Sequence, residues 1–141
     1  MVRVLATGTF DILHPGHLRY LSEARALGDE LYVIVARDSM IKHKPKPNVP
    51  EAQRLAMVKG LRIVDKAMLG SEKDMFEPLH EIKPDIIALG KNQFFNEKEL
   101  QVKLNASGIN AKVIRIQSFE QCELCSSASI IKRVLERNGK S

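Results

Sequence analysis

Two histidines three residues apart, His14 and His17, close the stretch Ala6-Thr7-Gly8-Thr9-Phe10-Asp11-Ile12-Leu13-His14-Pro15-Gly16-His17. Residues at that spacing on a helix, or at its entry, share one side, so both imidazoles can converge on one small target. Phosphate is the target that suits them, because a helix N-terminus offers free N–H groups and a dipole that favours anions. The pair would then cradle the charge that develops on a phosphoryl group during transfer. Thr9 and Asp11 are near enough in sequence to take part. Taken alone, a His-x-x-His pair reads more simply as two surface histidines. The glycine turn before it and Pro15 inside it favour the chemical reading. Gly8 has no Cβ and lets backbone approach a ligand. Pro15 suits a first helical turn, where its missing N–H is not needed.

Three further segments carry polar groups that could act on the same ligand. Arg37 to Pro50 holds Lys42, Lys44 and Lys46 at alternate positions, with Pro45, Pro47 and Pro50. The prolines forbid a helix, so an extended cationic loop is expected. It is either a solvated charge run or a clamp for a triphosphate. Ile86-Ile87-Ala88-Leu89-Gly90 is a buried run that stops at a glycine, followed by Lys91, Asn92, Gln93, Phe94 and Phe95. Backbone at Gly90 can face a nucleobase while Asn92 or Gln93 reads an edge or a ribose. Ser126, Ser127 and Ser129 precede the apolar periodic run that continues from Ile130. Such hydroxyls cap a helix, and capping alone is the simpler account.

These residues need elements to position them, and the chain alternates regularly. Apolar runs at Val2–Ala6, Leu31–Ala36, Val64–Leu69, Asp85–Leu89 and Ala111–Ile116 read as strands. Between and after them lie helical patterns at Pro15–Leu27, Glu51–Gly60, Met75–Ile82, Asn96–Ala106 and Ser127–Arg137. Leu18, Leu21, Ala24 and Leu27 form the inward stripe of the first helix, and Leu55 and Val58 that of the second. Gly28, Gly60 and Gly108 act as stops. Five strands alternating with five helices imply a parallel sheet covered on both faces, in a single Rossmann-like domain over residues 1–141. The strand ends near Gly8, Ala36 and Gly90 then share one edge, where such sheets bind ligands.

Composition agrees with this class. The 141 residues are 44% hydrophobic and 28% charged, as in a soluble globular protein. No apolar run approaches the roughly 20 residues of a membrane span. The N-terminus runs straight into a strand with no signal-peptide pattern, so a cytoplasmic protein is expected. The formal charge is +5. That charge suits a polyphosphate; with only 5% aromatics and no aromatic RNA-binding motif, no nucleic-acid role is expected. Both cysteines lie in Cys122-Glu123-Leu124-Cys125. This is half a zinc site with no histidine nearby, and a disulfide is not expected in a cytoplasmic chain.

The stretch Gly8-Thr9-Phe10-Asp11-x-x-His14-x-Gly16-His17 resembles the nucleotidyltransferase superfamily marked by a His-x-Gly-His signature. The resemblance implies that His14, His17 and Lys44 are catalytic. It implies that Thr9, Phe10, Asp11, Gly16, Lys42, Gly90, Asn92, Gln93, Ser126 and Ser127 line the nucleotide. In that superfamily a loop lysine contacts the triphosphate, and Lys42 and Lys44 are the first choices here. An arginine on the helix after Pro50 serves phosphate or substrate in the superfamily, which points to Arg54; otherwise Arg54 is an exposed helix arginine. Three positions depart from the pattern: Lys91 stands where an aromatic is common, Asn92 where an aspartate is usual, and Ala128 where a hydroxyl is common.

Within the superfamily, the cysteine pair before Ser126-Ser127, the Pro50-Glu51-x-Gln53-Arg54 stretch and Lys83-Pro84-Asp85-Ile86-Ile87-Ala88-Leu89-Gly90 resemble the archaeal-type FAD synthases. That implies ATP and FMN as substrates, with Mg²⁺ as the divalent metal. The glycerol-3-phosphate cytidylyltransferase branch is the nearest alternative, and a non-catalytic nucleotide sensor is the alternative of another class. An exposed apolar edge in so small a domain makes a homodimer an expectation as well.

Overall fold

The computed structural model describes residues 1–42, 45–91, 93, 95–117 and 122–139. Strands β1 (Arg3–Gly8), β2 (Glu30–Val35), β3 (Lys66–Leu69), β4 (Ile86–Leu89) and β5 (Lys112–Arg115) alternate with helices α1 (Pro15–Ala26), α2 (Glu51–Lys59), α3 (Glu77–Ile82), α4 (Glu97–Ala106) and α5 (Ser127–Asn138). The sheet order is β3-β2-β1-β4-β5, with every neighbouring pair parallel. Among the described residues no helix is long and apolar enough to cross a membrane.

Both faces of the sheet are covered, and the alternation of side chains along a strand assigns each face its layer. Val4 and Ala6 of β1 join Leu31, Val33 and Val35 of β2 in a cluster with Leu21 and Ala24 of α1 and Val58 of α2. Leu5 points the other way, with Ile34, Ile87 and Leu89, into a cluster with Leu79 and Ile82 of α3 and Leu100 and Leu104 of α4. Such two-faced burial explains why the strands read as nearly continuous apolar runs.

Element boundaries follow local chemistry. The chain leaves α3 through Lys83 in the left-handed region, φ 52°, and Pro84 prevents any continuation. Strand β3 begins at Lys66, two residues later than the apolar run suggests; Val64 is core but lies before the ladder. Leu18 departs from expectation too. It is 44% exposed, whereas Leu21 and Ala24 are fully buried.

Candidate active site

All five strands run the same way, so the loops after β1, β2 and β4 emerge at one edge. The loop after β1 turns sharply. Phe10 takes the left-handed conformation, φ 54°, which costs a residue with a Cβ about 1 to 2 kcal/mol. Its side chain is 3% exposed, within the core. The ring packs against His17, centroids 5.3 Å apart. The Phe10 ring therefore supports the second histidine.

The two histidines cap the helix they begin. His14 is the N-cap of α1, and its Nδ1 accepts the Gly16 N–H at 3.0 Å. His17 Nδ1 accepts the His14 N–H at 3.3 Å, completing a reciprocal capping box. A nitrogen that accepts in a neutral imidazole carries no proton, so both rings bear their proton on Nε2. The rings stack with centroids 3.8 Å apart. Burial lowers the His14 pKa from its ordinary value, and the positive end of the helix acts in the same direction. In its neutral form each ring, with Nδ1 accepting, has an Nε2–H to donate beside a helix N-terminus, whose dipole attracts anions.

This arrangement predicts a pH effect on stability. His14 takes up its proton less readily folded than unfolded, so its contribution is present above about pH 6.5 and fades as pH falls through the lower folded pKa. Protonated Nδ1 cannot accept the Gly16 N–H, and the loss is about 1 kcal/mol, the value of one N-cap. His14→Asn keeps a capping oxygen that does not titrate. Thermal melts at pH 7.5 and 5.5 should show a smaller drop for His14→Asn than for the parent protein. Equal drops would remove His14 from the capping role.

Gly16 permits a close approach. A Cβ there would lie 2.8 Å from the His14 ring and 2.9 Å from the Cys125 carbonyl oxygen. The start of α1 thereby meets the start of α5. Ser126 is the N-cap of α5, its hydroxyl accepting the Ser129 N–H at 3.1 Å. Ser127 Oγ lies 3.5 Å from the Ile12 carbonyl. Two helix N-termini thus sit together. The expectation of two reduced cysteines is corrected: Cys122 and Cys125 form a disulfide, Cα atoms 5.3 Å apart. That expectation rested on cellular compartment, whereas the turn before α5 brings the two side chains within bonding range.

The lysine loop is locked at its base by residues outside it. Asp11 accepts the Val49 N–H at 2.8 Å and the Asn48 side-chain amide at 3.0 Å. Burial opposes ionisation of Asp11, but these bonds, with the Arg54 charge beyond, prevail and hold its carboxyl below the usual range. Glu51, at the start of α2, accepts the Asp38 N–H at 2.8 Å and Arg37 Nη1 at 3.2 Å. Lys46 folds back on its own loop, donating to the carbonyls of Asp38 at 2.6 Å and Ile41 at 3.2 Å. Lys42 is exposed. Lys44 and Asn92 lie outside the described residues.

Arg54 is neither an exposed helix arginine nor turned toward solvent; it is 1% exposed. Its Nε donates to the Val49 carbonyl at 2.9 Å, and its Nη1 to those of Thr9 at 2.7 Å and Ala36 at 2.9 Å. Nη2 meets the Asp38 carboxylate at 2.5 Å. One guanidinium thus ties the loop after β1 to both ends of the lysine loop.

On the other side, Gln93 does not leave its amide to a base or a ribose. Its Oε1 accepts the Gly90 N–H at 2.7 Å, and its Nε2 donates to the Thr7 carbonyl at 3.0 Å. Arg115, which the sequence reading passes over, organises this turn. It donates to the carbonyls of Gly90 and Gln93, each at 2.8 Å, to that of Phe95, and to the Glu97 carboxylate at 2.6 Å. This bond holds the Glu97 carboxyl below its usual range. The available signal was a charged residue at the end of an otherwise apolar strand.

The chain is similar to known proteins over nearly its whole length. A profile of the cytidylyltransferase-like family matches residues 5–133. The chain is 67% identical over 137 residues to an FAD synthase of Methanohalophilus mahii, covering 97% of this chain and 96% of the relative. It is 64% identical over 141 residues to an FAD synthase of Methanococcoides burtonii, covering 100% and 99%. A solved structure described as the lipopolysaccharide core biosynthesis protein from Thermoplasma volcanium GSS1 is 51% identical. It superposes with a TM-score of 0.81 over 85% of this chain and 99% of its own.

Proposed function

Because the chain belongs to the cytidylyltransferase-like family, we propose that it is an FAD synthase, a nucleotidyltransferase that moves the AMP part of ATP onto FMN. The observation that carries the acceptor is the 64% identity to an FAD synthase over all 141 residues. An FMN phosphate oxygen attacks the α-phosphorus of ATP in line. The bond from that phosphorus to the β-bridging oxygen breaks, and pyrophosphate leaves. No covalent nucleophile on the protein is needed, since positioning and charge stabilisation suffice for such a transfer.

The Nε2–H groups of His14 and His17 donate to the α-phosphoryl oxygens as negative charge builds there. The N-termini of α1 and α5, with Ser126, Ser127 and the backbone of Thr9 and Phe10, supply further N–H and O–H donors, and Gly16 lets the two helix starts come close. Lys42 and Lys44 hold the terminal phosphates, and Gly90 and Asn92 meet the base and ribose. Arg54, Asp11 and Gln93 serve by positioning these loops. The carboxylates nearby, Asp11, Asp38 and Glu51, are each held by hydrogen bonds within the protein, which leaves donors and cations to meet the phosphate oxygens. A divalent metal, Mg²⁺ in this reading, therefore arrives as part of the Mg·ATP substrate.

The test is product identity. Purified protein is incubated with ATP and FMN, and separately with CTP and glycerol 3-phosphate, and products are separated by chromatography. FAD and pyrophosphate in equal amounts are expected from the first pair only. CDP-glycerol without FAD would reject the flavin assignment and leave the transfer chemistry intact. No pyrophosphate from either pair would favour a nucleotide sensor.

A further inference from the structure

The central strand pair comes apart just below the site. β1 and β4 pair from Val4–Ile86 to Ala6–Ala88, whereas β1 and β2 continue to Gly8–Val35. Arg3 and Thr7 are separated by an even number of residues, so their backbone groups face the same neighbouring strand. Arg3 accepts the Asp85 N–H on the β4 side. Thr7 would continue that ladder, but its groups go elsewhere. Its N–H donates to the Tyr20 hydroxyl at 3.2 Å, and its carbonyl accepts from Gln93 Nε2 at 3.0 Å. The Tyr20 hydroxyl donates to the Ala88 carbonyl at 2.6 Å, with the Thr7 carbonyl 3.3 Å away. One phenol and one carboxamide have replaced ladder bonds and hold the strand tips apart.

This fork lies where the strand order reverses, the point at which open α/β sheets receive ligands. Tyr20 also stands three residues after His17, on the same side of α1. Its hydroxyl therefore fixes the spacing of the two strand tips and the seat of the histidine-bearing helix from a single atom. Burial raises the Tyr20 pKa, so the proton it donates to Ala88 is retained at any working pH.

We propose that Tyr20 is a positioning residue for the transfer reaction, its hydroxyl holding the β1/β4 fork open and setting His17 against the reacting phosphorus, with Gln93 bracing the fork from the other side. The inference rests on the reading of His17 as a donor to the α-phosphoryl group. Tyr20→Phe keeps the ring and removes the hydroxyl, leaving Thr7 N–H and the Ala88 carbonyl without their shared partner. Displacements of about 1 Å at a reacting centre can reduce rates by about 100-fold.

The experiment is a double-mutant cycle in kcat for FAD formation, with parent, Tyr20→Phe, His17→Ala and the double variant. Tyr20→Phe alone should lower kcat about 10-fold or more. In the His17→Ala background it should lower kcat little further, because the group through which it acts is gone. Losses that multiply in the double variant would overturn the proposal, as would a lower Tm with unchanged kcat. If Tyr20→Phe does not fold, Gln93→Met removes the opposite brace, and the same non-additivity with His17→Ala is expected. A parent that makes FAD while the losses multiply refutes only the role of Tyr20. A parent that makes no FAD overturns the functional reading, and this inference with it.

Discussion

His17→Ala should lower turnover about 100-fold or more while ATP binds nearly as well as to the parent protein. An imidazole aimed at the α-phosphoryl oxygens helps most where negative charge has grown, so its removal is felt in the transition state more than in the ground state. His17 also accepts the His14 N–H, and that second duty must be separated from the first. His17→Gln makes the separation, since a glutamine at the third helical position can complete a capping box. Both variants should turn over slowly, and His17→Gln should melt closer to the parent. Single-turnover kinetics with an ATP titration by calorimetry reads both quantities. A folded His17→Ala protein with unchanged kcat would remove the residue from the chemistry.

Arg54→Met should destabilise the fold by about 3 kcal/mol, because it leaves the partly buried carbonyls of Thr9, Ala36 and Val49 without their donor. For a domain of this size that is roughly 10 °C in Tm. Asp38 is 42% exposed and can turn to water, so the lost ion pair itself contributes little. Arg54→Lys should recover little of the loss. An ammonium is a point donor and cannot span acceptors on three segments as a planar guanidinium does. Because the same contacts seat both ends of the lysine loop, ATP should also bind more weakly to any Arg54 variant that folds. A Tm within about 2 °C of the parent would show that the loops hold without the arginine.

Much of the architecture was determined by local patterns. Apolar runs, glycine stops and helical spacing are short-range signals, and they locate β2, β4, α2 and α4 to within a residue or two of where they form. The His14–His17 spacing and the Ser126 cap are equally local, because each side chain bonds backbone no more than three residues away. A local pattern can mislead about burial: Leu18 fits the helical stripe but is left exposed, while Leu21 and Ala24 are buried. The disulfide of Cys122 and Cys125 likewise depends on a turn that spacing alone did not disclose.

What only the tertiary structure decided is the set of fasteners that assemble the site. Arg54 reaches Thr9 across 45 residues, Asp11 reaches Val49 across 38, and Gln93 reaches Thr7 across 86. Arg115 wraps the turn after β4 in the same manner. Residue type shows that these side chains can donate or accept, yet their partners are mostly backbone groups. Nearly every residue carries an N–H and every residue a carbonyl, so nothing in the sequence marks which of them a distant guanidinium or amide will meet. That choice is made when the sheet closes and brings its loop ends together at one edge.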